Sequence, residues 1–99
     1  MYDDEKEEHL KDLWAERMIL SGLLFKPQKM LDVQDTVSSE DFFNNDNSEI
    51  FDAILELHRD NAPVTAVSVL DQLRKKGEVT RSLQDLVFNY ELDLSLIHI

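Results

Sequence analysis

Apolar residues along this chain recur at helical rather than strand spacing. Over residues ~5 to 25 they fall at Leu10, Leu13, Trp14 and Met18, three and four apart, which marks one face of an α-helix. The face then broadens. Met18 to Phe25 reads Met-Ile-Leu-Ser-Gly-Leu-Leu-Phe, apolar on nearly every side, and predicts a central helix buried on more than one face. Its acidic start suits the positive end of a helix dipole. Pro27 can stand in the first turn of a second, short helix, where its missing N–H is not needed. That helix carries Met30, Leu31 and Val33 and is expected to end near Val37.

A third helix follows from Ile50, Phe51, Ile54, Leu55, Leu57 and His58, with Glu49, Asp52, Glu56 and Arg59 off the stripe. The Asn/Asp/Ser run before it, Asn44 to Ser48, supplies a turn and an N-cap. Asn61-Ala62-Pro63-Val64 breaks the chain, because proline disfavours helical geometry in the residue before it. Thr65 then caps a fourth helix in which Val69, Leu70 and Leu73 face inward and Lys75, Lys76 and Gly77 form the stop. Thr80 or Ser82 caps a fifth, through Leu83, Leu86, Val87 and Tyr90, the Ser82 to Asp85 spacing being close to a capping box. In the tail from Glu91 to Ile99, Leu92, Leu94 and Leu96 alternate as a strand would. A lone strand has no partner here, so a helical or irregular end lying on the bundle is expected.

These elements predict an all-α fold, a compact orthogonal bundle of about five or six short helices in one domain over residues 1–99. The expected core is Trp14, Met18, Leu20, Leu24, Phe42, Phe43, Ile50, Phe51, Ile54, Leu57, Leu70, Leu73 and Leu86, with Thr65 and Gly77 as helix caps. Phe42 and Phe43 stand just before the third helix. Ser39, Glu40 and Asp41 can start a short turn there, after which both rings are expected to point back into the bundle as a wedge.

Composition narrows the function. With 42% hydrophobic and 31% charged residues, the 99-residue chain reads as one soluble globular domain, and no run approaches the ~20 apolar residues that span a bilayer. The first residues are acidic where a secretory signal is basic, so the cytoplasm is the expected compartment. Ten Lys and Arg against 21 Asp and Glu give a net charge of −11. Phosphate backbones are repelled by such a surface, and the one basic cluster, Arg74-Lys75-Lys76, reads as the charged end of a helix. Protein partners are favoured over nucleic acid.

Catalytic chemistry finds no foothold in the sequence. Only Gly22 and Gly77 are present, so no glycine-rich phosphate cradle can be written. His9, His58 and His98 are widely separated, and cysteine is absent, which leaves no zinc spacing and no disulfide. Asn44 to Ser48 lacks the central glycine and bidentate glutamate of a calcium loop. No catalytic residue, metal site or cofactor is expected.

The order of these pieces carries a resemblance. Ala15-Glu16 with Ile19-Leu20-Ser21-Gly22-Leu23-Leu24, then Asp41-Phe42-Phe43, then Ile50-Phe51-Asp52-Ala53-Ile54 with Leu57, then Ala62-Pro63-Val64 and Leu70, Leu73, Gly77 resembles the N-terminal domain of bacterial replicative DNA helicases of the DnaB type. The match covers most of residues 15–88. The resemblance implies a compact helical head, joined in the full helicase to a helical hairpin and a RecA-like ATPase domain. It further implies that heads form a collar around the hexamer and dock primase. Two departures stand out: Thr65 replaces a usual aspartate, which also caps helices, and Glu78-Val79-Thr80-Arg81-Ser82 lacks the usual paired glycines. The chain stops before any hairpin or P-loop, so an enzyme activity is expected only of the parent protein. Two other readings are a helicase-binding C-terminal domain of a primase, and a freestanding acidic protein that binds and inhibits a replication factor.

Overall fold

Each long helix of this protein has an apolar face and a polar start or stop, and the faces meet around one interior. A computed structural model describes residues 4–97, and the side chains of residues 13–92. Helix α1 spans Asp4–Phe25; a 3-10 turn, Pro27–Lys29, leads into α2, Met30–Val33; a second 3-10 turn, Ser39–Asp41, precedes α3, Asn45–Arg59. Helix α4 spans Ala66–Lys76 and α5 Arg81–Ile97. The described residues contain no strand, and the fold is all-α. α1 packs on α3 and α5, and α4 packs on the same two, so the four long helices close a ring. Leu20, Leu23, Met30, Ile50, Phe51, Ile54, Val69 and Val87 fill its centre and are essentially inaccessible to water.

Local chemistry explains the boundaries. Pro27 occupies the first turn of its 3-10 segment, and the Met30 to Val37 stretch closes with the Val37 N–H donating to the Val33 carbonyl. Asn44 is extended and its Oδ1 accepts from the Asn47 N–H at 3.0 Å, so α3 begins at Asn45. The polar run is therefore the first turn of α3 rather than a loop ahead of it. Asn61, at φ 56°, reverses the chain after α3 in the left-handed region that asparagine tolerates. Thr65 and Ser68 form a reciprocal capping box on α4: the Ser68 N–H donates to Thr65 Oγ1 at 3.1 Å and the Thr65 N–H to Ser68 Oγ at 2.8 Å. Gly77 ends α4 in an extended conformation, its N–H donating to the Leu73 carbonyl at 3.2 Å. Of the two caps expected for α5 the structure uses Thr80, whose Oγ1 accepts from the Leu83 N–H at 3.1 Å; Ser82 lies inside the helix. The tail continues α5 as far as Ile97, and residues 98 and 99 lie outside the described residues.

Burial divides the expected core. Leu20, Leu24, Phe42, Ile50, Phe51, Ile54, Leu57, Leu70 and Leu73 are buried, and Leu86 is half-buried against them. Three expected core residues are not: Trp14 is 64% exposed, Met18 42% and Phe43 63%. On α1 the buried side is set by Glu16, Leu20, Leu23 and Leu24, and at 3.6 residues per turn Trp14 and Met18 fall on the far side of the helix. α1 is thus buried on more than one face, as expected, packing on α3 and α5, while the side that carries Trp14 and Met18 is apolar and open. The two-ring wedge is corrected as well. Phe42 and Asn44 have extended backbones, and along an extended segment successive side chains point oppositely, so Phe42 enters the core and Phe43 leaves it. The Phe42 ring meets Phe51, centroids 5.0 Å apart and planes tilted by 38°.

Candidate functional site

Among the described residues the outward side of α1 carries three exposed apolar side chains, more than α5, which shows Phe88 and Leu92. Trp14, Met18 and Phe25 are four and seven residues apart, which places all three within about 40° of one another around the helix axis. Phe25 is 43% exposed, comparable with Met18. The stripe is a ridge between two grooves. On one side Trp14 borders a groove lined by Leu13, Arg17, Asn44, Asn47, Leu86 and Tyr90. On the other, Met18 and Gly22 border a groove closed by Ile19, Leu23, Lys29 and Val33. Isolated exposed apolar residues are ordinary; here Trp14 and Met18 are adjacent on the helix surface, while Ser21, between Met18 and Phe25 on the same side, is buried, so the side is a candidate contact surface in two parts.

Beneath the ridge a buried polar clamp fixes its position. Glu16, only 5% exposed, lies on the inner side of α1 and reaches the segment entering α3. Its Oε2 accepts from the Phe43 N–H at 2.7 Å, and its Oε1 from the Asn44 N–H at 3.3 Å and from Asn47 Nδ2 at 2.9 Å. Asn47 Oδ1 in turn accepts from the Tyr90 hydroxyl at 2.5 Å, which carries the network to α5. A carboxylate inside a protein is tolerable only when its oxygens are fully engaged, and here three donors at the positive end of α3 engage it. One side chain therefore ties α1, the approach to α3, and α5 together. The sequence reading passed over this role of Glu16. The available signal was a lone carboxylate four residues before Leu20 and seven before Leu23, on the apolar side of the helix.

Two other polar links lie between helices. The Ala66 N–H at the start of α4 donates to Glu91 Oε2 of α5 at 2.9 Å. Glu56 of α3 accepts from Gln72 Nε2 at 2.6 Å and pairs with Lys76 of α4. The Lys76 ammonium holds the Glu56 carboxyl below its ordinary range, against a smaller upward push from desolvation and with further help from the Gln72 amide. Lys76 also lines a small cleft with Glu49, Asp52, Glu78 and Leu83. Among the described residues no group of three or more Asp, Glu or His side chains is placed to hold a metal ion, and no helix is long and apolar enough to cross a membrane.

Thr65 and Gly77, the two expected caps, sit at opposite ends of α4. The only expected site residues that the structure brings to the exposed face are the three it removes from the core: Trp14 and Met18 on the ridge, and Phe43 on the loop that Glu16 holds.

Comparison with known proteins agrees with this arrangement of pieces. The family described as DnaB-like helicase N terminal domain matches residues 8–94. The chain is similar to the "Replicative DNA helicase DnaB" of Leifsonia xyli subsp. xyli, 35% identical over 71 residues, which are 72% of this chain and 16% of that relative. It is likewise similar to the protein of the same name from Mycobacterium leprae, 34% identical over 71 residues, 72% of this chain and 12% of the relative. The chain thus spans about an eighth to a sixth of the length of these two relatives. No solved structure matches it. The chain belongs to the DnaB-like helicase N-terminal domain family.

Proposed function

We propose that this chain is the non-catalytic head of a replicative DNA helicase and works as a protein-docking module in the cytoplasm. In this reading the heads of neighbouring subunits meet through apolar helix surfaces to form the collar of a hexamer, and the assembled heads receive primase. The observation that carries it is the exposed ridge of Trp14, Met18 and Phe25 on a domain whose own core is already filled by other residues. The charge supports it further: at −11 the head is repelled by the phosphates of the strand that the rest of a helicase would handle. Contacts are then confined to proteins. The family match and both relatives favour a helicase head over the helicase-binding domain of a primase.

Two titrations test this reading. With a fluorescein-labelled single-stranded oligonucleotide near physiological salt, no change in anisotropy is expected, and submicromolar binding contradicts the charge argument. With primase from the same organism, calorimetry is expected to give measurable heat of binding. A flat thermogram removes primase from the account.

A further inference from the structure

We infer that the groove between α1 and α2 takes a short acidic segment of a partner protein, which seats one bulky apolar side chain in the groove and sets its neighbouring carboxylates against Lys26 and Lys29. The inference rests on the docking-head reading and gives it a surface and a partner chemistry. Shape is the first support. Met18, Ile19 and Leu23 of α1 and Val33 of α2 make the groove apolar, and it encloses about 240 Å³. A cavity of ~150 Å³ already accepts a benzene ring, so a side chain the size of leucine or phenylalanine fits. Gly22 forms part of the rim, and a Cβ added there would meet nothing within 4 Å, so the way in is open.

Charge is the second support, and it selects the partner. Lys29 lines the groove and Lys26 stands one turn before it; both are exposed, and among the described residues neither ammonium pairs with a carboxylate. Asp32 and Asp35, the next carboxylates along the chain, do not line the groove. The lining thus holds a cation and no carboxylate on a chain of net charge −11. Elsewhere the balance is reversed: the cleft at Lys76 carries Glu49, Asp52 and Glu78, and the groove beside Ala15 carries Glu16 and Asp41. A lysine whose stem lies along an apolar wall and whose ammonium stays at the rim suits an apolar residue flanked by acids. A purely apolar occupant makes no use of Lys29, and a basic one is repelled by it. A single seated side chain makes a weak contact, which gains when the partner is tethered in the same assembly.

The test is a titration of the isotope-labelled chain, followed through its backbone amide signals, with two acetylated and amidated peptides at millimolar concentration: Asp-Glu-Leu-Phe-Asp-Glu and its charge-reversed counterpart Lys-Lys-Leu-Phe-Lys-Lys. The acidic peptide is expected to move the signals of Met18, Ile19, Gly22, Leu23 and Val33 and to leave those of α4 in place. The basic peptide is expected to leave the groove signals unmoved, although the net charge of the chain favours it. Lys26→Glu combined with Lys29→Glu should weaken the acidic peptide about fivefold or more. Gly22→Leu, which places a side chain across the open rim and suits a helix better than glycine, should abolish binding while the helical spectrum is kept. An equal response to both peptides, shifts that lie outside the groove, or no shift at all overturns the inference. Movement of the same signals on diluting the chain alone assigns the groove to a second copy and overturns it too. Each of these failures leaves the primase titration, and with it the docking-head reading, standing.

Discussion

Helices α1 and α3 both contribute fully buried residues to the same core, yet they differ in what they show to water. On α3, Glu49, Asp52, Glu56 and Arg59 lie off the buried stripe of Ile50, Phe51, Ala53, Ile54 and Leu57, and the one other large apolar residue, Leu55, is half-buried against the core. On α1, the positions opposite Leu20, Leu23 and Leu24 are Trp14, Met18 and Phe25. The first pattern describes a helix made for one neighbouring layer. The second describes a helix with more apolar surface than the described residues of its own domain cover, and the proposed docking role rests on that surplus.

The sharpest way to probe the contrast is to truncate on the α3 side. Phe51 is fully buried and stacks on Phe42, so Phe51→Ala is expected to destabilise the domain by about 3–5 kcal/mol, from lost transfer energy and the cavity left behind. Urea unfolding followed by circular dichroism measures this, and an unchanged midpoint would place the core elsewhere.

A smaller loss is expected at the clamp that joins the two helices. Glu16→Ala leaves the Asn47 amide and the Phe43 N–H without their acceptor in a buried setting, at a cost of about 2–3 kcal/mol. Glu16→Gln should recover only part of it, because an amide nitrogen then faces one of those donors. Equal stability of Glu16→Ala and the unmodified protein would show that the network does not tie α1 to α3.

The effect shrinks again at the surface. The Glu56–Lys76 pair is substantially exposed, so it contributes at most about 1 kcal/mol after screening by solvent. Because the Glu56 carboxyl is held below its ordinary value of 4.5, its contribution is present above that pH and is lost as pH falls through the lowered value. Lys76→Met should accordingly reduce stability slightly at pH 7 and hardly at all in strong acid. A difference that persists or grows in acid contradicts the assignment.

The same contrast explains how much the sequence could tell. On α3, α4 and α5 polar residues bracket each apolar stripe, and the periodicity places Phe51, Ile54, Leu70 and Leu73 on the inside where the structure has them. Caps were legible for the same local reason: Thr65 and Ser68 are only three residues apart, so their reciprocal bonds need no tertiary knowledge. On α1 the period fails as a guide, because residues apolar on every side give no phase; only the tertiary positions of α3 and α5 decide that Leu20 is inside and Trp14 outside. The Phe42–Phe43 pair shows a second limit. Two adjacent rings look equivalent in composition, but the extended backbone that parts them is stabilised by Glu16, 27 residues earlier in the chain.

The ridge was therefore readable as apolar and unreadable as exposed. Its discovery depends on geometry, and so does its test. The most direct measurement is the unfolding free energy, in dilute solution, of the double variant Trp14→Ser with Met18→Ser. If this side of α1 is reserved for other proteins, the variant keeps its helical spectrum and its stability to within about 0.5 kcal/mol of the unmodified chain, as exposed positions do. A loss approaching that of Phe51→Ala would return both residues to the core and contradict the account.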